Sequence, residues 1–146
     1  VRQYNDKLLS LSKLYNVDSR IENALKKHVW LKTGGYLIIE YTEAMTVIDV
    51  NSGKAIKGSS KEEKVYAINL EAAEEIIKQL ILRDISGIVI IDFISMNKEI
   101  SQNQLLKELK NLAEMDKNQT TVVDIPRLGL VEITRKRVRK PLHEIF

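Results

Sequence analysis

Two aspartates stand out because the residues around them are apolar. Asp49 sits inside Thr46-Val47-Ile48-Asp49-Val50, and Asp92 sits inside Ile90-Ile91-Asp92-Phe93-Ile94. A carboxylate in such a run is costly to bury unless it is hydrogen-bonded, paired or bound to a cation. Placed near the C-terminal ends of two strands, the pair can meet at one end of a sheet and present hard oxygen donors. That donor set suits Mg2+, which uses one or two carboxylates and keeps several waters. Mn2+ favours the same oxygen ligands. Asn51, two residues beyond Asp49, falls on the same strand face and could orient a phosphate or a bound water. On pattern alone a second reading stays open, in which each aspartate caps a turn or a nearby helix, because neither motif has a unique spacing.

Other chemistries are absent or weakly signalled. With no cysteine in the chain, thiol nucleophiles, disulfides and cysteine-based zinc sites are excluded. There is no P-loop, no G-x-G-x-x-G and no G-x-S-x-G. His28 and His143 are far apart, have no obvious ligand partners, and read as a helix residue and a tail residue.

The elements that must position the aspartates follow from periodicity and punctuation. Ser19 and Glu22 have capping-box spacing, and Ile21, Leu25 and Val29 share one face, so a helix is expected from Ser19 to about Val29. Lys32-Thr33-Gly34-Gly35 reads as a turn. Tyr36 to Tyr41 and Met45 to Val50 read as strands, with a link short enough for an antiparallel hairpin. Asn51 to Lys64 is polar and reads as a surface loop. A helix is expected from about Asn69 to Arg83, with Leu70, Ala73, Ile76 and Leu80 on its buried face. The continuous apolar run Ile88 to Ile94 reads as a central strand. A further helix, Ser101 to Met115, carries a second capping-box pattern in Ser101 and Gln104. Strands at Thr120 to Ile125 and Leu128 to Thr134 complete an α-β-β-α-β-α-β-β order, an α/β domain built on a mixed sheet. The single Trp30 and most leucines are assigned to its core.

The 146 residues, 44% hydrophobic and 29% charged, suit one soluble domain with one core. No apolar run approaches the ~20 residues of a membrane helix. The first residue is Val1 and no signal-peptide pattern follows, so the chain reads as a piece of a longer protein. The lack of cysteine fits a reducing, cytoplasmic location. Net charge is +3, too little to imply nucleic acid by itself. The run from Arg127 to Lys140 is locally basic, however, with Arg127, Arg135, Lys136, Arg137, Arg139 and Lys140 opposed only by Glu132. Such a run either tracks phosphates or is a solvated tail. Aromatic residues make up only 5% of the chain, and no stacking platform for bases is visible.

Gly34-Gly35 and the block Thr42-Glu43-Ala44-Met45-Thr46-Val47-Ile48-Asp49-Val50-Asn51-Ser52-Gly53-Lys54 resemble the core signature of the ribonuclease E/G family. The resemblance continues through Asn69-Leu70-Glu71-Ala72-Ala73, Arg83-Asp84-Ile85-Ser86-Gly87-Ile88 and Ile91-Asp92-Phe93-Ile94-Ser95-Met96. It closes with Arg127-Leu128-Gly129-Leu130-Val131-Glu132-Ile133-Thr134-Arg135-Lys136-Arg137. These blocks keep the family's order and spacing over roughly residues 15 to 140.

The resemblance implies a metal-dependent endoribonuclease of RNA processing and decay. Its substrate would be single-stranded RNA, usually cut at A/U-rich sites to leave 5′-phosphate and 3′-hydroxyl ends. Asp49 and Asp92 match the family's metal-binding aspartates, and Asn51 matches the asparagine beside the scissile phosphate. Mg2+ is the implied cofactor, with Mn2+ possible. Lys54, Lys57, Arg127 and Arg135 would hold the RNA backbone. Ser95 and Gln119 depart from the family pattern, which often has an aspartate and a basic residue there.

The resemblance also divides the chain. Residues 1–30 would be the tail of an RNase H-like subdomain, and 31–140 the DNase I-like catalytic subdomain. Residues 141–146 would lead toward a zinc segment that this chain lacks. The longer protein is expected to form a homodimer or higher homo-oligomer, and the fragment alone to be weakly active or inactive. The competing expectation is a non-catalytic RNA-binding or dimerisation module on the same scaffold.

Overall fold

The computed structural model describes Glu22 and residues 25–56, 61–125 and 129–145. Six strands form one mixed sheet: β1 (His28–Trp30), β2 (Tyr36–Tyr41), β3 (Thr46–Asn51), β4 (Gly87–Asp92), β5 (Thr120–Ile125) and β6 (Leu130–Arg135), in the order β1-β2-β3-β4-β6-β5. Helix α1 (Lys61–Leu82) connects β3 to β4, α2 (Glu99–Glu114) connects β4 to β5, and a short α3 (Leu142–Ile145) follows β6. The β3–β4 pair is parallel and the other pairs are antiparallel. An α/β architecture was expected from the order of apolar runs, and β4 is central, as its unbroken apolar stretch requires.

Burial alternates along the strands as the pleat demands. Leu37, Ile39, Ile48, Val50, Val89, Ile91 and Ile133 project to one face and are buried. Helix α1 covers them with Val65, Ile68, Ala72, Ala73, Ile76 and Leu80, and α2 with Leu105, Leu109 and Ala113. Each fully buried Leu or Ile contributes roughly 1.5–3 kcal/mol by leaving water. Truncating Ile48 at the centre to Ala would cost about 2–5 kcal/mol. The opposite face carries Tyr36, Ile38, Asp49, Asn51, Ile90, Asp92 and Glu132, none of them buried.

Several elements differ from expectation. His28 to Trp30 form an edge strand instead of a helix end, although Glu22 and Leu25 are helical. Val29 fits a helical stripe and a strand equally well, and pairing with β2 decides the matter. Trp30 is not core: it is 68% exposed. The sheet thus begins at His28, inside the segment that the resemblance assigns to the preceding subdomain. Helix α1 starts at Lys61, within the stretch expected to be loop, with Glu62 and Glu63 in its first turn, where helix-dipole attraction favours acids. Helix α2 begins at Glu99, so Ser101 lies inside it and caps nothing. Its entry is held instead by Glu62 of α1, whose Oε1 accepts the backbone N–H groups of Asn97 (2.9 Å) and Lys98 (3.2 Å).

Helix α1 ends in a Schellman arrangement. Ile85 N–H donates to Leu80 O (2.9 Å) and Asp84 N–H to Ile81 O (3.2 Å). Asp84 takes the left-handed position usually given to glycine, at φ 52°. The C-terminal segment docks here, with Leu142 N–H donating to Arg83 O at 2.7 Å. His143 stacks flat on Tyr41 with ring centroids 3.7 Å apart. Burial, reinforced by the nearby Arg83 charge, holds its imidazole below its ordinary pKa despite the opposing pull of Glu144.

Candidate active site

Parallel pairing sets Asp49 of β3 directly beside Asp92 of β4. Neighbouring strands lie about 4.8 Å apart, so the two carboxylates share one level and one face at the C-terminal ends of their strands. Open α/β sheets commonly bind ligands at such strand ends. Partial burial and the negative charge of Asp49 together hold the Asp92 carboxyl above the usual aspartate pKa. Among the described residues neither aspartate has a Lys or Arg partner within salt-bridge distance. Two adjacent carboxylates without a countercharge are a fit for a hard divalent cation that completes its shell with water. Among the described residues no group of three or more His, Cys, Asp or Glu gathers to make a fuller cage.

Asn51 closes the site on the same face. Its Nδ2 donates to Asp49 Oδ2 at 3.1 Å, fixing the carboxylate while one further N–H of the amide stays available. The strand end itself is held by two turns packed back to back. A Cβ on Gly35 would stand 2.8 Å from Asn51 O, and one on Gly53 only 2.6 Å from Gly34 O. Gly53 also sits at φ +55°, so a side chain there would be both crowded and strained.

Helix α1 fastens both loops that flank the carboxylates. The Glu71 carboxylate accepts the backbone N–H groups of Lys32 and Thr33 in the glycine turn. Asn69 is fully buried, and its amide makes a two-way clamp with Ile94, two residues past Asp92. Asn69 Nδ2 donates to Ile94 O at 2.8 Å, and Ile94 N–H donates to Asn69 Oδ1 at 3.0 Å. The sequence signal for Asn69 was a polar residue on the apolar stripe of a helix, and such a group must find a partner when buried.

The expected RNA contacts fall into three groups. Lys54 is exposed in the turn just beyond Asn51. Lys57 and Arg127 lie outside the described residues. Arg135 has a different role from the expected one: it is buried (3% exposed) on the helix-covered face. Its guanidinium donates to Asp84 Oδ1 (2.9 Å), to Asp116 Oδ2 and Oδ1 (2.6 and 3.2 Å), and to Ile85 O (3.1 Å). Arg139 also holds Asp84, and Arg137 pairs with Glu144 at 2.8 Å. Much of the basic run therefore neutralises the protein's own carboxylates. Burial pulls the Asp84 and Asp116 carboxyls up, but hydrogen bonds from Arg139 and Arg135 to the first, and from Arg135, Thr120 and Asn118 to the second, leave both below the ordinary value.

A feature that composition concealed lies on the open face. His28 stacks on Tyr36 with centroids 4.4 Å apart, and Trp30 meets His28 at 4.6 Å and Tyr36 edge-on at 5.2 Å. Few aromatics are present in the chain, but two of them, Trp30 and Tyr36, meet here with the ring of His28.

A profile of the Ribonuclease E/G family matches residues 1–138. The chain is 47% identical over 138 residues to Ribonuclease E of Synechocystis sp., covering 94% of this chain and 20% of that protein. It is 44% identical over 133 residues to Ribonuclease G of Haemophilus influenzae and 42% over 133 residues to Ribonuclease G of Escherichia coli strain K12. Each of those matches covers 91% of this chain and 27% of the relative. The chain thus spans about a fifth to a quarter of the length of these relatives.

Proposed function

Since this chain belongs to the ribonuclease E/G family, we propose that it is the DNase I-like catalytic subdomain of a metal-dependent endoribonuclease acting on single-stranded RNA. One observation carries the proposal: Asp49 and Asp92 are register partners on adjacent parallel strands, with no countercharge among the described residues. Mg2+ or Mn2+ would be held by these two carboxylates. When bound, the cation supplies positive charge that stabilises the phosphoryl oxygens and makes water nucleophilic near neutral pH.

The chain's own groups do the rest. Asn51 donates one amide N–H to Asp49 and turns the other toward a phosphate oxygen beside the scissile bond. Lys54 neutralises a neighbouring phosphate, a contact that positions the strand without reading its sequence. In-line attack of water on phosphorus, with the 3′-oxygen leaving, yields the 5′-phosphate and 3′-hydroxyl ends expected of the family. The clamps from Asn69 and Glu71 keep the two strand ends aligned for that geometry. Among the described residues no helix is long and apolar enough to cross a membrane. The longer protein, a homo-oligomer in this proposal, would work on RNA in the cytoplasm.

The test is Asp49→Asn and Asp92→Asn in the longer protein. Each should lower cleavage by more than about 100-fold while sparing RNA binding and folding, since even outer-shell partners of metal ligands are worth 10–100-fold. If binding and folding fall together with cleavage, the aspartates are structural and the chain is a scaffold module.

A further inference from the structure

The rings of His28, Trp30 and Tyr36 lie in the same cross-strand rows as the site residues. One row reads Trp30, Tyr36 and Asn51 across β1, β2 and β3, and the adjacent row reads His28, Ile38, Asp49 and Asp92 across β1 to β4. With strands about 4.8 Å apart, Trp30 stands roughly 10 Å from Asn51. That places the ring ledge beside the carboxylates, on the same face of the sheet.

We propose that this ledge is a base-stacking subsite, which holds a nucleobase of single-stranded RNA next to the phosphate bound at Asn51, Asp49 and Asp92. The inference rests on the proposed nuclease reading and adds a binding site to it. Trp30 is 68% exposed in this chain, so its indole presents an open face beside the carboxylates. His28 and Tyr36 hold it at 4.6 and 5.2 Å, which fixes the indole and lowers the entropy cost of stacking something onto it. The turn bearing Lys54 abuts the ledge, since a Cβ on Gly53 would stand 3.5 Å from the Tyr36 ring. A cation for the backbone and an aromatic face for the base therefore sit side by side, the pairing that single-strand binding sites use. A base has a π-face whatever its identity, so the ledge holds a strand in place without reading its sequence.

Trp30 is the sole tryptophan, so its emission reports on the ledge directly. The 146-residue chain, in chelator and low salt to prevent cleavage, is titrated with a ten-nucleotide single-stranded RNA and with an abasic strand carrying the same phosphates. Saturable quenching by the base-bearing strand alone is expected. In anisotropy measurements with end-labelled RNA, Trp30→Ala should weaken binding of the base-bearing strand by roughly 5- to 150-fold. It should leave abasic binding unchanged, and Trp30→Phe should restore most of the loss. Equal RNA affinity of Trp30→Ala and the parent overturns the subsite, as does failure of the parent to bind either strand. A Trp30 emission shift that follows protein concentration without RNA also overturns it, by assigning the ledge to contact between copies of the chain. Asp49→Asn separates the two proposals. Cleavage that survives this change in the longer protein sinks the nuclease reading, whereas absent quenching with cleavage abolished sinks only the ledge.

Discussion

Replacing Arg135 with Ala asks whether this arginine touches RNA or holds the fold together. Its guanidinium is 3% exposed and serves Asp84, Asp116 and the Ile85 carbonyl. Truncation leaves the Asp116 carboxylate, whose side chain is only 4% exposed, with hydrogen bonds from Thr120 and Asn118 but no cationic partner, while Asp84 keeps Arg139. Removing one partner of a buried pair costs about 3–5 kcal/mol because the other charge is left without compensation. That is a large part of the 5–15 kcal/mol that typically holds a domain together. Arg135→Lys keeps the charge but not the fork that reaches both aspartates, so it should lose less. Urea denaturation followed by circular dichroism should show a lower midpoint at unchanged slope.

The effect should also depend on pH with a defined sign. Asp84 and Asp116 titrate below their ordinary value in the fold. Their stabilising contribution is complete above the unfolded value near 3.9 and is lost as pH falls through the lower folded values. The gap between parent and Arg135→Ala should therefore be constant near neutrality and narrow below about pH 4. A loss under about 1 kcal/mol, or lost RNA affinity with an unchanged urea midpoint, would refute the structural role and return Arg135 to the phosphate-binding set.

Two other predictions follow from the site. Asn69→Ala removes both halves of the Ile94 clamp and should cost about 1–3 kcal/mol in thermal or urea unfolding for the unsatisfied groups left behind. It should lower kcat of the longer protein more than RNA affinity. Asp92→Asn removes a like charge from beside Asp49 and should stabilise the metal-free chain by about 0.2–1 kcal/mol. Because the Asp92 pKa is raised, that gain should be present at neutral pH and vanish as pH falls and Asp92 takes up its proton. A calorimetric melting series across pH checks the sign.

The central strands and their aspartates were legible because a charge interrupting β-branched residues in a strand is a local signal that needs no tertiary information. The turn glycines before and after that hairpin were equally plain. Edge strand β1 was not, since Val29 satisfies two periods and only a neighbour at hydrogen-bonding distance chooses between them. The basic run shows total charge but not which of its members is buried, as Arg135 is. Alternation along Leu130 to Arg135 puts it on the face of Ile133, where an arginine must find acids. Those acids, Asp84 and Asp116, come from distant parts of the chain. Composition cannot show the three-ring cluster either, because it counts side chains but does not locate them.

The sheet behaves as a partition. Asp49, Asn51, Asp92 and the ring ledge stand on one side of it, and the side chains proposed to align them, Asn69 and Glu71 of α1, stand on the other. If the proposed contacts hold, substitutions at His28, Trp30, Tyr36 or Lys54 would change how tightly a strand is held without loosening the framework. Substitutions in α1 can instead detune catalysis from a position no substrate reaches. An inhibitor directed at the helix layer would thus act by misaligning the carboxylates, and RNA, however abundant, would not compete with it.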